Sequence, residues 1–218
     1  GKIIQTRSKP KGEGGMKENP IRDLLAQGNW GEDQALLQGL RQWQYAPVLW
    51  QAYETLQEEA LFHSQVHGPG HIHRVLLLAA LLCWKEGAPE EMVRQVFRAA
   101  SYHDVGRTFD GYDIYHGARS ALRLAALTGQ TGEALVELQA AVTAHSRPDR
   151  EMASIVASFQ PRDLPHAMAL TRLLKDADNL DRVRLGDLDP KFLRHDSAKD
   201  LVGFAQRLFQ RDQAAREP

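Results

Sequence analysis

From residue 33 onward the apolar residues recur at helical spacing, and no sustained alternation of apolar and polar residues marks a half-buried strand. That feature confines the chain to an all-α fold. The spacing predicts helices over 33–44, 48–62, 70–86, 90–103, 114–128, 131–145, 149–159, 166–183 and 197–210. Pro47, Pro69, Pro89, Pro148 and Pro165 stand at or just before five of these starts, where a fixed φ and a missing N–H cost little. Gly87, Gly129 and Gly132 fall where helices should stop or turn. No repeat of roughly 20 to 50 residues is visible, which argues against a helical solenoid.

With 218 residues, 43% of them hydrophobic, the chain carries enough apolar material for one compact domain, expected over 21–218. Residues 1–20 carry five positive charges against Glu13 and Glu18 and almost nothing to bury, so they are expected to form a flexible leader. If Met16 is the native start, residues 1–15 are an added leader; a native flexible arm would have the same composition. Lys plus Arg number 27 against 28 Asp plus Glu, a balance that lowers the case for nucleic acid as primary partner. The single cysteine, Cys83, excludes an intramolecular disulfide and a cysteine-based zinc site, and fits a reducing, cytoplasmic setting. The longest apolar run, residues 75–84, is too short for a ~30 Å hydrocarbon core, which needs about 20 residues. The basic N-terminus is followed by no apolar segment of the kind a secretory signal requires.

Three segments could carry chemistry. In the first, His67-Gly68-Pro69-Gly70-His71-Ile72-His73-Arg74-Val75, helical spacing puts His71 on the face of Val75, Leu78 and Leu82, inward from a first turn, while His73 points elsewhere. Taken alone, His71 is a ligand or, more commonly, a core histidine bonded to a backbone carbonyl. In the second, an apolar helix runs through Ala99-Ala100-Ser101-Tyr102 into His103-Asp104-Val105-Gly106-Arg107. An imidazole and a carboxylate at one helix end can both reach one cation, and this donor pair suits Zn, Mn, Fe or Ni rather than Ca. A second pair, His195-Asp196, lies in a polar stretch with no apolar helix feeding it and reads as surface. In the third, around Lys175-Asp176-Ala177-Asp178-Asn179-Leu180-Asp181-Arg182, Asp178 and Asp181 share the side of Leu174 and Ala177, with Asp176 rotated by roughly 200° from Asp178. A carboxylate on an apolar stripe needs a cation, so a metal or an arginine such as Arg182 or Arg184 should stand beside Asp178.

His71 heading a His-x-x-Arg-Val helix, then His103-Asp104, then Asp178 in Ala-Asp-x-Leu-Asp, resembles the HD-domain superfamily of metal-dependent phosphohydrolases, whose ligand order is H…HD…D. The resemblance covers about residues 63–185. It implies an all-α core in which His71, His103, Asp104 and Asp178 hold a divalent metal (Mn, Fe, Ni, Zn or Mg). His116 and His145 sit where two-metal members of the superfamily place ligands for a second ion, with Asp104 bridging; alternatively they line the cleft and bind phosphate. His67 is a candidate substrate contact, whereas His63, His73 and His166 read as solvent or helix-surface residues. Arg107 stands where nucleotidases and alarmone hydrolases of the superfamily often carry Glu, and the His-Asp-x-Gly-Lys/Arg form looks more like its binuclear subgroup. Gly111-Tyr112 is followed by Asp113 rather than proline, so a cyclic di-GMP substrate is not supported.

The implied activity is metal-assisted hydrolysis of a small phosphate ester, such as a nucleotide, with Asp104 and Arg107 catalytic. Arg107, with Arg147, Lys175 and Arg182 behind it, would hold phosphate oxygens, since guanidinium groups match phosphate bidentately. No Gly-rich phosphate loop points to an organic cofactor. The alternatives are a nucleotide-sensing module with little turnover, and a metal-free phosphodiesterase acting on phosphoribosyl-linked protein, which His-Gly-x-x-His-x-x-Arg-Val also resembles. Helices over 33–62 and 186–210 are expected to cap the cleft or form an oligomer contact. Trp30, Trp43 and Trp50 should serve packing before base stacking.

Overall fold

Prolines open the helices in the computed structural model, which describes residues 19–217. Among the described residues it has twelve α-helices and no strand. They are α1 (Pro20–Gln27), α2 (Gln34–Gln42), α3 (Ala46–Thr55), α4 (Pro69–Lys85), α5 (Glu90–Tyr102), α6 (His116–Ala121), α7 (Leu124–Thr128), α8 (Gly132–His145), α9 (Asp149–Ser158), α10 (Leu164–Leu180), α11 (Asp196–Asp200) and α12 (Val202–Arg216). Pro47, Pro69 and Pro165 lie in first turns, and Pro89 and Pro148 are N-caps, so all five fall where no intrahelical N–H is missed.

Four boundaries differ from the sequence expectation, one being the 197–210 helix, which divides at Leu201 into α11 and α12 and runs on to Arg216. Asn19 and Pro20, assigned above to the leader, open α1: Asn19 accepts from the Arg22 amide at 3.3 Å and Pro20 takes the first helical position. The rest of the expected leader, residues 1–18, lies outside the described residues. The 48–62 helix ends at Thr55 because Leu56 turns extended and enters the core. The 114–128 helix divides at Leu122–Arg123, where Arg123 N bonds Ser120 O at 3.0 Å and its guanidinium reaches Val105 O.

Helix α4 is the axis of the fold. Thirteen of its 17 residues are buried, on every face rather than one, because α2, α3, α5, α10 and α12 pack around it. This explains why a single-stripe reading misplaced His73, which is buried, with Nε2 2.5 Å from Glu58 and Nδ1 2.9 Å from Arg216. One apolar core runs from Ile21 to Leu208, with a smaller cluster beneath α9. The tryptophans pack: Trp30 is 2% exposed, donates to Leu24 O and tilts against Phe204, while Trp43 and Trp50 lie against Tyr45 and Tyr53. No helix among the described residues is long and apolar enough to cross a membrane.

Candidate metal centre

Polar side chains are housed most cheaply at the helix ends of an apolar bundle, and one end gathers six of them. His71 is in the first turn of α4, His103 caps α5 with Asp104 after it, His116 opens α6, His145 closes α8, and Asp178 lies in the last turn of α10. Helices α5, α8 and α10 thus bring three C-termini, with their partial negative charge, to one place. Two glycines permit the approach. A Cβ on Gly106 would stand 2.3 Å from Ser120 N, and one on Gly117 would stand 2.4 Å from Val142 O, so glycine there lets the His-Asp turn and α6 close on α8.

Each imidazole is oriented from behind. His71 Nδ1 lies 2.7 Å from Asp181 Oδ2, and the Nδ1 atoms of His103, His116 and His145 donate to the carbonyls of Ala100 (2.7 Å), Asp113 (2.6 Å) and Val142 (2.5 Å). All four therefore present Nε2 to the interior, the tautomer a metal ligand needs. The interior atoms form two sets sharing Asp104. His71 Nε2 is 3.2 Å from His103 Nε2, from Asp104 Oδ2 and from Asp178 Oδ1, while His103 Nε2 is 3.4 Å from Asp104 Oδ2 and 3.2 Å from Asp178 Oδ1. The other Asp104 oxygen, Oδ1, is 3.1 Å from His116 Nε2 and 3.7 Å from His145 Nε2, which are 2.9 Å from each other. Donors bound at ~2.1 Å to one ion in octahedral or tetrahedral arrangement lie about 3.0–3.4 Å apart, so the first set has the spacing of a coordination sphere and the second, at 2.9–3.7 Å, brackets it. Lone pairs of facing imidazoles at these distances repel unless a cation or proton lies between, and the residues therefore fit divalent ions.

The charges agree. His103 and the hydrogen bonds from neighbouring imidazoles outweigh burial and hold the Asp104 and Asp178 carboxyls well below the usual range. For His71, burial and Arg184 oppose protonation, but Asp104, Asp178 and Asp181 prevail and push its pKa up to about 9. Burial instead drives His145 down to about 4. The carboxylates are anionic throughout, and without a metal the first set holds protons that a divalent ion must displace.

The HD domain profile matches residues 70–183, from the first turn of α4 past the end of α10, just over half the chain. The chain belongs to the HD-domain family. No curated protein and no solved structure matches it. Membership and the His/Asp cluster together indicate a divalent-metal-binding HD domain of the phosphohydrolase superfamily.

The HD centre floors a cleft of about 890 Å³, and His67, Arg107, Arg147, Lys175 and Arg182 all line it. Their availability differs. Arg107 Nη1 donates to the carbonyls of Phe109 and Gly111, while its buried Nε, 3.5 Å from Asp104 Oδ1, has no hydrogen-bond partner, alone among the buried side-chain polar atoms described. Arg147 forks onto Glu151 and lies over Tyr115, Lys175 donates to Arg147 O (2.6 Å) and Asp149 (2.9 Å), and Arg182 forks onto Asp187. His67 Nδ1 lies 2.8 Å from Asp110, itself bonded to Ser64; burial outweighs that carboxylate and brings His67 down to about 4.

Several expectations are corrected. Of the two cations expected beside Asp178, a metal or an arginine, the arginine is not there: Asp178 faces imidazoles, and the guanidinium groups of Arg74 and Arg184 belong to Asp181. His195 is no free surface residue, since its Nδ1 lies 2.7 Å from the fully buried Asp176. No residue of the 33–62 segment lines the cleft, whereas the 186–210 segment does, through residues that include Phe192 and Arg194; these two and Arg150 had not been singled out individually from the sequence. His166, in the first turn of α10 and so at the other end of the helix from Asp178, sits partly buried between Glu137 and Glu91.

Proposed function

We propose that this HD-domain protein is a metal-dependent phosphohydrolase with two ions, held by His71, His103, Asp104 and Asp178 and by Asp104, His116 and His145. The observation that carries the reading is Asp104, whose two oxygens face two different histidine pairs at 3.1–3.7 Å. When bound, divalent ions supply Lewis acidity and bring a water's pKa toward ~7, making a nucleophile available at neutral pH.

The chain's own residues supply the rest. Arg107, which lines the cleft beside Asp104, turns its guanidinium to a phosphate oxygen and stabilises charge that develops there. His67, kept neutral with Nδ1 on Asp110, leaves Nε2 as an acceptor for a water or substrate hydroxyl. Seven Arg/Lys and seven Asp line the cleft, so bound divalent ions tip its balance positive, as a phosphate ester requires. Arg147, Lys175 and Arg182 stand on the walls as further phosphate contacts, although each first has to share its hydrogens with the partner it already has. The nearly bare Tyr112 ring and Phe192 on the rim offer faces to a base, which supports a nucleotide over a smaller ester.

Elemental analysis of the purified protein and of Asp104→Ala, with hydrolysis of bis(p-nitrophenyl) phosphate and p-nitrophenyl phosphate in added Mn²⁺, tests this. The expected result is close to two equivalents per chain, lost in the variant together with hydrolysis. Hydrolysis without metal in either protein, even after loading, moves the reading to a metal-free phosphodiesterase; metal without hydrolysis of any ester moves it to a sensing module.

A further inference from the structure

Behind His71 a line of buried charges leads out of the family match. Asp181 accepts His71 Nδ1 at 2.7 Å on Oδ2, and the same carboxylate takes Arg74 Nε at 2.8 Å and Nη2 at 3.1 Å. The remaining Arg74 nitrogen, Nη1, donates to Asp212 Oδ2 at 2.7 Å. All four side chains are buried, at 2% exposure or less. Asp212 lies on α12, well past residue 183 where the HD match ends. The same helix lays the Phe209 ring 5.0 Å from the Arg74 guanidinium and fixes Asp212 from the other side with Arg216 Nε at 2.8 Å. The backbone makes room for this: a Cβ on Gly70 would stand 3.3 Å from both Arg74 Nη1 and Arg216 Nε, tighter than the two guanidiniums could readily accept.

A guanidinium is planar, and anchoring both of its edges fixes its plane. With Asp212 in place, Arg74 can meet Asp181 only through Nε and Nη2, and Asp181 then holds one orientation toward His71. Without Asp212, a buried positive charge loses half its compensation, and the fork on Asp181 loses the anchor that sets its angle. We propose that Asp212 is a positioning residue for the metal centre, acting through Arg74 and Asp181 to hold His71 Nε2 on the first donor set. The inference rests on the reading of His71 as a metal ligand. It makes the C-terminal helix, outside the family match, part of what sets metal affinity.

The test is equilibrium dialysis of the full chain against Mn²⁺, with bound metal counted by elemental analysis. Removing hydrogen-bond partners of ligands typically costs 10–100-fold in metal affinity. Asp212→Asn is two bonds further out, so the expected result is a loss of about 10-fold in one equivalent only, with the equivalent at His116 and His145 unchanged. Asp33→Asn is the control: it cuts the Arg207–Asp33 pair (2.7 and 2.9 Å), which also anchors α12, without touching the relay, and is expected to bind within about twofold of the parent. Should Asp212→Asn fail to fold by circular dichroism, Arg74→Lys, which keeps the charge but cannot bridge both carboxylates, is read in its place with the same expectation. Parent-like affinity in Asp212→Asn, or an equal loss in Asp33→Asn, overturns the relay and leaves the metal reading standing. A parent protein that takes up no metal overturns both.

Discussion

Three aspartates follow one another at the end of α10, and two kinds of neighbour neutralise them. Asp176 and Asp181, both fully buried, are each met by a guanidinium group as well as an imidazole: Arg194 with His195 on the first, Arg74 and Arg184 with His71 on the second. Asp178, between them, has only the Nε2 atoms of His71 and His103 within reach. A carboxylate with its own arginine is a finished structural pair. One facing only imidazoles, whose Nδ1 atoms are already committed elsewhere, has an exchangeable proton for its counter-charge, and a divalent cation can take that proton's place. Asp178 is therefore marked less by being an acid than by lacking the arginine that Asp176 and Asp181 each have.

The most severe way to test this contrast is Asp178→Asn. Loss of the cation's share of transition-state stabilisation, several kcal/mol, should lower phosphoester hydrolysis at least ~1000-fold, with one metal equivalent lost by elemental analysis. With both proteins stripped of metal, the variant should be nearly as stable to urea as its parent, since the amide oxygen still faces the two imidazoles and no buried arginine is stranded. Asp176→Ala should do the converse. It strands Arg194 and His195 and is expected to cost about 3 kcal/mol in urea unfolding, while the folded fraction keeps its full metal content. Metal loss in this variant, or stability loss in the first, would break the comparison.

Gly117→Ala sharpens it from the other side of Asp104. Its Cβ would press on Val142 O and on Ser146 Oγ, prying α6 from α8. The expected outcome is a cost of about 2 kcal/mol and loss of the His116–His145 equivalent alone.

The smallest effect belongs to His166, whose imidazole is partly exposed between Glu137 and Glu91. Burial opposes its protonation, yet the two carboxylates prevail and raise its pKa. Its contribution to stability is therefore present below the ordinary histidine value and fades as pH rises through the raised one. Burial also raises Glu137, which works against the charged pair and keeps the gain modest. Melting temperatures at pH 6 and pH 8.5 should differ less in His166→Gln than in the parent, by an amount worth under about 1 kcal/mol. An unchanged pH dependence would remove His166 from the ion pairs that count.

Much of this was legible in the chain itself. Helical spacing and prolines gave the fold class and most helix starts, and the order of His71, His103-Asp104 and Asp178 pointed to the four side chains that meet in the first donor set. The rotation of Asp176 away from Asp178 was also correctly read, but its burial was not, because the far side of α10 is covered as well. His73 was misread for the same reason: a face argument fails on a helix buried all round. What could not be read were the partners. Asp181 meets Arg74 across 107 positions, and Arg74 meets Asp212 across 138.

The sequence by itself determined that these residues would lie at helix ends, because an apolar helix holds an unpaired imidazole or carboxylate most cheaply where it stops. Only the tertiary structure decided which ends meet, which carboxylates receive an arginine and which imidazole nitrogens turn inward. Those outcomes depend on side chains far apart along the chain competing for the same counter-charges, and local spacing carries no information about that competition.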